Sequence, residues 1–138
     1  MTLREMIGQK LVVGFPGREL DGEFIRLVEE YKVGNIILFR HNIESEEQLA
    51  ALCAELRRRI CAATGAEPFI TIDQEGGVVT RLPDDTTNPP GAMAIAAAGG
   101  EENAYEMGYL TGCRLRALGV DFDLAPVMDV NSNPDNPV

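Results

Sequence analysis

With 138 residues, 45% of them apolar and 25% charged, the chain has the proportions of one globular domain and not those of a disordered or fibrous polypeptide. Twelve lysines and arginines stand against 22 aspartates and glutamates, a formal net charge of −10, which leaves no basic surface to track nucleic-acid phosphates. The imbalance is uneven: residues 1–60 carry nine basic and ten acidic groups, whereas residues 61–138 carry only Arg81, Arg114 and Arg116 against twelve acids. That second half suits a cation or a polyhydroxylated ligand, or is simply solvated surface.

The opening stretch Met1–Phe15 contains acids and amphipathic spacing without a continuous apolar segment, so it does not read as a signal peptide. No run approaches the about 18 apolar residues of a membrane span. Cys53, Cys61 and Cys113 are odd in number and lack paired spacing. Neither a disulfide framework nor a zinc site is expected, no cofactor is implied, and a reducing cytoplasm fits.

Four short apolar runs follow one another: Leu11–Phe15, Asn35–Phe39, Phe69–Ile72 and Val120–Leu124. The first three are nearly continuous, as in parallel strands covered on both faces. The fourth alternates Val120, Phe122 and Leu124 with Asp121 and Asp123, which predicts acids facing a barrel interior or a neighbouring strand's cation. Helical periods separate the runs. Phe24, Leu27, Val28 and Tyr31 form one apolar stripe, and Leu49, Leu52, Cys53, Leu56 and Ile60 form a longer one. Cys53 on that stripe reads as a packed thiol. Ser45 and Gln48 make a capping-box signature ahead of this helix, and Arg57-Arg58-Arg59 suits its negative pole. A third helix is predicted over about 101–118, with Ala104, Met107, Thr111, Leu115 and Leu118 facing inward and Gly119 as its stop.

The order β-α-β-α-β-α-β predicts an α/β fold with right-handed crossovers. An open doubly wound sheet would be complete at this length, whereas a (β/α)8 barrel needs about 250 residues. The first turn, Gly14-Phe15-Pro16-Gly17, is not a dinucleotide-binding fingerprint, and no Walker pattern follows any run. Polar residues gather instead after the strands: Arg40-His41-Asn42, Asp73-Gln74-Glu75-Gly76-Gly77 and Asp129-Val130-Asn131. Together with a last stretch, Asn131–Val138, that reads as loop, this favours the N-terminal half of a barrel. Residues 1–138 are then one portion of a domain, incomplete at its C-terminus.

Asp73 stands directly after the third strand, at the rim where barrel active sites form. Arg81 follows eight residues later. A carboxylate there accepts hydrogen bonds from adjacent sugar hydroxyls, while a guanidinium donates to ring or substituent oxygens. The competing reading is a structural ion pair that pins a long loop. Asp129 either faces the same pocket or caps the Asn131-Ser132-Asn133 turn. His41, the lone histidine, reads as a structural hydrogen-bonding residue sooner than as a catalyst, and is a candidate for a second layer. No calcium-loop spacing and no nucleophile elbow are present.

Four segments in register resemble glycoside hydrolase family 3, in its bacterial β-N-acetylhexosaminidase branch. They are Gly14–Gly17, Gly34–Ile43, Ile72–Gly77 and Leu118–Asn131. The resemblance implies a (β/α)8 barrel that removes terminal β-linked N-acetylglucosamine with retention and without metal, typically from cell-wall muropeptides. It also implies that Asp73 and Arg81 bind substrate; Asp129 and His41 stand, from their positions alone, as candidates for a second layer. The family's nucleophilic aspartate, histidine acid/base and remaining sugar contacts fall beyond Val138, so no catalytic residue is expected within this chain. Val78 departs from the arginine many members carry there. A competing expectation is a non-catalytic α/β binding or assembly module, a homo-oligomer paired through uncovered strand edges. A nucleotide-binding sheet is disfavoured by the missing phosphate loop.

Overall fold

A computed structural model describes residues 1–133 and 135. The elements run α1 (Leu3–Gly8), β1 (Val12–Val13), α2 (Gly22–Tyr31), β2 (Asn35–Leu38), α3 (Glu46–Thr64), β3 (Ile70–Ile72), α4 (Ala92–Ala98), α5 (Glu101–Ala117) and β4 (Phe122–Asp123). The strands form one parallel sheet in consecutive order β1-β2-β3-β4. A doubly wound sheet reverses its strand order at a switch point; this one does not. The sheet is open at β1 and β4, as in the first half of a barrel, and the α/β half-barrel fold expected from the sequence is what the chain adopts. No helix among the described residues is long and apolar enough to cross a membrane.

The core lies between the sheet and its helices. Ile36 and Leu38 of β2 and Ile70 and Ile72 of β3 are fully buried, and they pack with Leu49, Leu52, Cys53, Leu56 and Ile60 of α3 and with Phe24 and Val28 of α2. Each large aliphatic side chain buried here contributes about 1.5–3 kcal/mol of transfer free energy. The α3 stripe read from the sequence is therefore a buried face; the α2 stripe is buried through Phe24 and Val28 and partly through Leu27, whereas its last member, Tyr31, is 58% exposed. Burial pushes the Cys53 thiol up to about 12, so it is a packed group and not a nucleophile. Asn35 is a buried polar stitch: Nδ2 donates to the carbonyls of Gln9 at 2.8 Å and Leu11 at 3.3 Å, while Oδ1 accepts the Phe69 amide at 3.0 Å.

Several local expectations change. Phe15 leaves the first strand and turns into the core, shortening β1 to two residues. Asp121, the residue before β4, pairs with a helix cation and not with one on a neighbouring strand: it meets Arg57 of α3 at 2.8 Å and accepts the Ile70 amide at 2.9 Å, whereas Phe122 is exposed. Ser45 Oγ accepts the Gln48 amide, but Gln48 Oε1 takes the Glu44 amide, so the box closes one residue early. Helix α3 continues to Thr64. Arg57, Arg58 and Arg59 thus precede its last turn and bind Glu67, Asp121 and Glu55 instead of the helix pole. On α5 only the C-terminal end is buried, through Leu115; Leu118 just beyond it is buried too, Met107 and Thr111 are half-buried, and Ala104 is exposed. The short helices α1 and α4 were not anticipated. The closing loop reading falls partly on Pro134, Asn136, Pro137 and Val138, which lie outside the described residues.

Candidate functional site

Parallel strands bring their carboxyl ends to one edge of the sheet, and the residue after each strand becomes a rim residue. Asp73 follows Ile72 of β3, and Phe39 follows Leu38 of β2. Arg81 returns to this edge from the loop, with Nη2 3.2 Å from Asp73 Oδ2 and both side chains about a fifth to a quarter exposed. Its guanidinium carbon also stands 5.9 Å from the centroid of the Phe39 ring, within the range of a cation–π contact. Arg81 is thereby held between a carboxylate and an aromatic face.

His41 does not touch Asp73 or Arg81. It stacks on Phe39, with centroids 5.8 Å apart and planes 16° from parallel. Its Nε2 lies 3.0 Å from the Phe15 carbonyl; a carbonyl only accepts, so Nε2 is the protonated nitrogen. Buried Asn42 supports the same corner, its Nδ2 donating to the Phe15 carbonyl at 2.9 Å and its Oδ1 accepting the Phe39 amide at 2.9 Å. These contacts fasten the end of β2 to the end of β1. His41 reaches the Asp73–Arg81 pair only through Phe39.

The loop between Asp73 and Pro90 is tied down along its length. Gly76 and Gly77 have φ of 92° and 58°, and the amide of Gly77 donates to the Pro89 carbonyl at 3.1 Å. Arg40 donates to the Leu82 carbonyl and pairs with Asp84 at 3.1 Å. Arg114 of α5 gathers Glu46, Asn88 at 3.0 Å and Asp85 at 2.7 Å. Val78, the departure noted in the sequence, sits 86% exposed at the tip of the turn and makes no side-chain contact that this arrangement depends on.

A third carboxylate belongs to the neighbourhood. Asp123 Oδ1 accepts the Gln74 amide at 2.8 Å. Partial burial raises its pKa above the ordinary 3.8, the Gln74 hydrogen bond opposes that, and the nearby Asp73 and Glu75 carboxylates add to the rise. Asp129, by contrast, is exposed and makes no hydrogen bond or ion pair with a described residue; the structure does not draw it into the cluster. Phe39, Gln74 and Asp123 were absent from the residues singled out as site candidates. Gln74 lay inside the motif, and the Asp121/Asp123 alternation was visible, but which strand each would face was not.

The model of the glycosyl hydrolase family 3 N terminal domain matches residues 2–138. Among curated relatives, a beta-hexosaminidase of Thiobacillus denitrificans is 38% identical over 127 residues, covering 88% of this chain and 34% of the relative. Beta-hexosaminidase A of Pseudoalteromonas piscicida is 33% identical, covering all of this chain and 27% of the relative. Among solved structures, a glycoside hydrolase family 3 beta-N-acetylglucosaminidase from Paenibacillus is 44% identical with a TM-score of 0.92, covering all of this chain and 26% of that one. The chain thus spans about a third or less of the length of these proteins.

Proposed function

Because this chain belongs to glycosyl hydrolase family 3, we propose that the protein takes part in hydrolysing terminal, non-reducing β-linked N-acetylglucosamine, and that Asp73 and Arg81 grip that terminal sugar. The observation that carries the reading is the Asp73–Arg81 pair at the carboxyl edge of β3. A carboxylate and a guanidinium side by side accept from sugar hydroxyls and donate to sugar oxygens at one position, which a pyranose ring with adjacent substituents can use together. The beta-hexosaminidase relatives support the same sugar class.

A retaining glycosidase needs a nucleophilic carboxylate and a separate acid/base around an oxocarbenium-like transition state. Asp73 and Glu75 are only two residues apart, but one Asp73 oxygen is already engaged by Arg81. We follow the family resemblance in taking Asp73 as a binding residue, with the bond-breaking groups outside these 138 residues. The proposal extends to cell-wall muropeptides as the source of the sugar and to a cytoplasmic location. Three free cysteines, Cys113 among them exposed, support a reducing compartment.

The test is calorimetric titration with N-acetylglucosamine, wild type against Asp73→Ala. Loss of a charged acceptor for sugar hydroxyls costs about 1.5–3 kcal/mol per contact, so Asp73→Ala is expected to weaken binding roughly ten- to hundredfold. Equal affinity of the two proteins returns Asp73 to the role of a loop-pinning ion pair. Alternatively, the exposed Val12 of β1 and Phe122 of β4, on the two open edges, favour a second reading as a self-pairing module. A concentration-independent monomer in sedimentation velocity removes that reading.

A further inference from the structure

Eight positions separate Asp73 from Arg81, and the chain between them makes only a tight turn at Gly76–Val79. A turn of this kind does not by itself determine how far the guanidinium stands from the carboxylate. One side chain crosses the base of the loop and holds its returning backbone: Gln74, which is 2% exposed. Its Oε1 accepts the Arg81 amide at 2.8 Å and the Leu82 amide at 3.1 Å, while its own amide is anchored on Asp123 of β4. Both lone pairs of Oε1 are used, and a flipped amide would set an NH2 group against two N–H donors, so the orientation is forced.

The other end of the same amide is informative. Gln74 Nε2 is buried without an acceptor among the described residues, beside a cavity of about 710 Å³ that Gln74 lines with Leu82, Met107 and Leu110. A buried donor without a partner is unfavourable, and an apolar side chain of equal size would fill the space without that penalty. What an apolar residue cannot supply is the acceptor for the Arg81 and Leu82 amides.

We propose that Gln74 is a positioning residue for sugar binding: its Oε1 clamps the Arg81 backbone to the end of β3 and so sets the separation of the Arg81 guanidinium from the Asp73 carboxylate. The inference rests on the sugar-binding reading of that pair. It acts through Arg81 and needs no contact between Gln74 and sugar. Gln74→Met keeps the length and removes the acceptor, whereas Gln74→Glu keeps an oxygen acceptor where Oε1 stands.

The experiment titrates the purified protein with N-acetylglucosamine by calorimetry and records the thermal midpoint of each variant. Gln74→Met is expected to weaken binding roughly ten- to hundredfold, the scale of a misplaced binding group, and Gln74→Glu to recover most of the loss. In an Arg81→Ala background, Gln74→Met should cost no further affinity, because its route to the sugar is already gone. A purely structural residue would lower the midpoint and leave the two losses additive, which overturns the proposal. So does wild-type affinity in Gln74→Met while Asp73→Ala has lost binding; that result leaves the sugar-binding reading standing. Wild-type affinity in Asp73→Ala removes both. Should Gln74→Met fail to fold, Gln74→Asn, one methylene short of the two amides, carries the same comparison.

Discussion

Gly77 and Gly91 lie so close that a Cβ on Gly77 would stand 2.9 Å from the Gly91 Cα, against backbone that has no side chain to swing aside. The approach seats the Asp73–Gly77 motif on the Pro89–Gly91 segment, and it explains why two glycines sit there in terms beyond the turn itself. Gly77→Ala therefore meets both a left-handed φ of 58° and a backbone clash. Gly65, the left-handed C-cap of α3, has φ of 73° and open space around its missing Cβ. In urea titrations, Gly65→Ala is expected to cost about 1 kcal/mol from φ alone, and Gly77→Ala to cost more, roughly 2–4 kcal/mol. Equal losses would show that the close approach relaxes freely.

Arg57 ties the last strand to the long helix. Its guanidinium reaches Asp121 at 2.8 Å and the Gly119 carbonyl at 3.3 Å, and Asp121 in turn receives the Ile70 amide. Both partners are about a third exposed, so solvent screening limits the pair to the order of 1 kcal/mol. The effect of Arg57→Ala should be local. Faster hydrogen exchange is expected at the amides of Asp121 and Leu124, which bond to the β3 carbonyls of Ile70 and Ile72, with little change at β2, which Arg57 does not touch. Uniform acceleration across the sheet would instead mean that Arg57 supports the whole core.

Asp123 makes stability fall with rising pH. Its folded-state pKa lies above the ordinary 3.8, so between 3.8 and that raised value the folded chain binds more protons than the unfolded one. Stability from this group is full below that window and is lost as pH rises through it. Glu55, held down to about 2 by Arg58 and Arg59, and Asp85, held low by Thr87, work in the opposite direction as pH falls. A difference measurement separates them: Asp123→Asn keeps an oxygen for the Gln74 amide and removes the charge. Its thermal midpoint relative to wild type should climb as pH rises from 3.8 through the raised value. A flat difference would show that the carboxylate is solvated well enough to titrate normally.

The buried stripes of α2 and α3 were legible in the sequence because helical period and apolar burial are the same physical demand, and Leu49, Leu52, Leu56 and Ile60 answer it within one segment. The parallel α/β order was legible for a similar reason. The reach of α5 was not: Ala104 repeats the period yet is exposed, since burial depends on what neighbouring elements cover. Asp121 was visible as an acid in an alternating strand, but its cation, Arg57, lies 64 positions away on a helix, and no local pattern encodes such a pairing.

At the site the division is the same. Chemistry came from local sequence: an aspartate directly after a strand, two glycines, and an arginine within reach, all within nine residues. Geometry came from contacts between distant segments. Phe39 under Arg81, His41 on Phe39, and Asp123 beneath Gln74 arise because parallel strands bring their carboxyl ends to one edge, whatever their separation along the chain. Residue type and spacing settle which groups are available, because those are covalent facts. Which of them meet is decided by the packed sheet, where the free energy of burying one segment against another selects the neighbours.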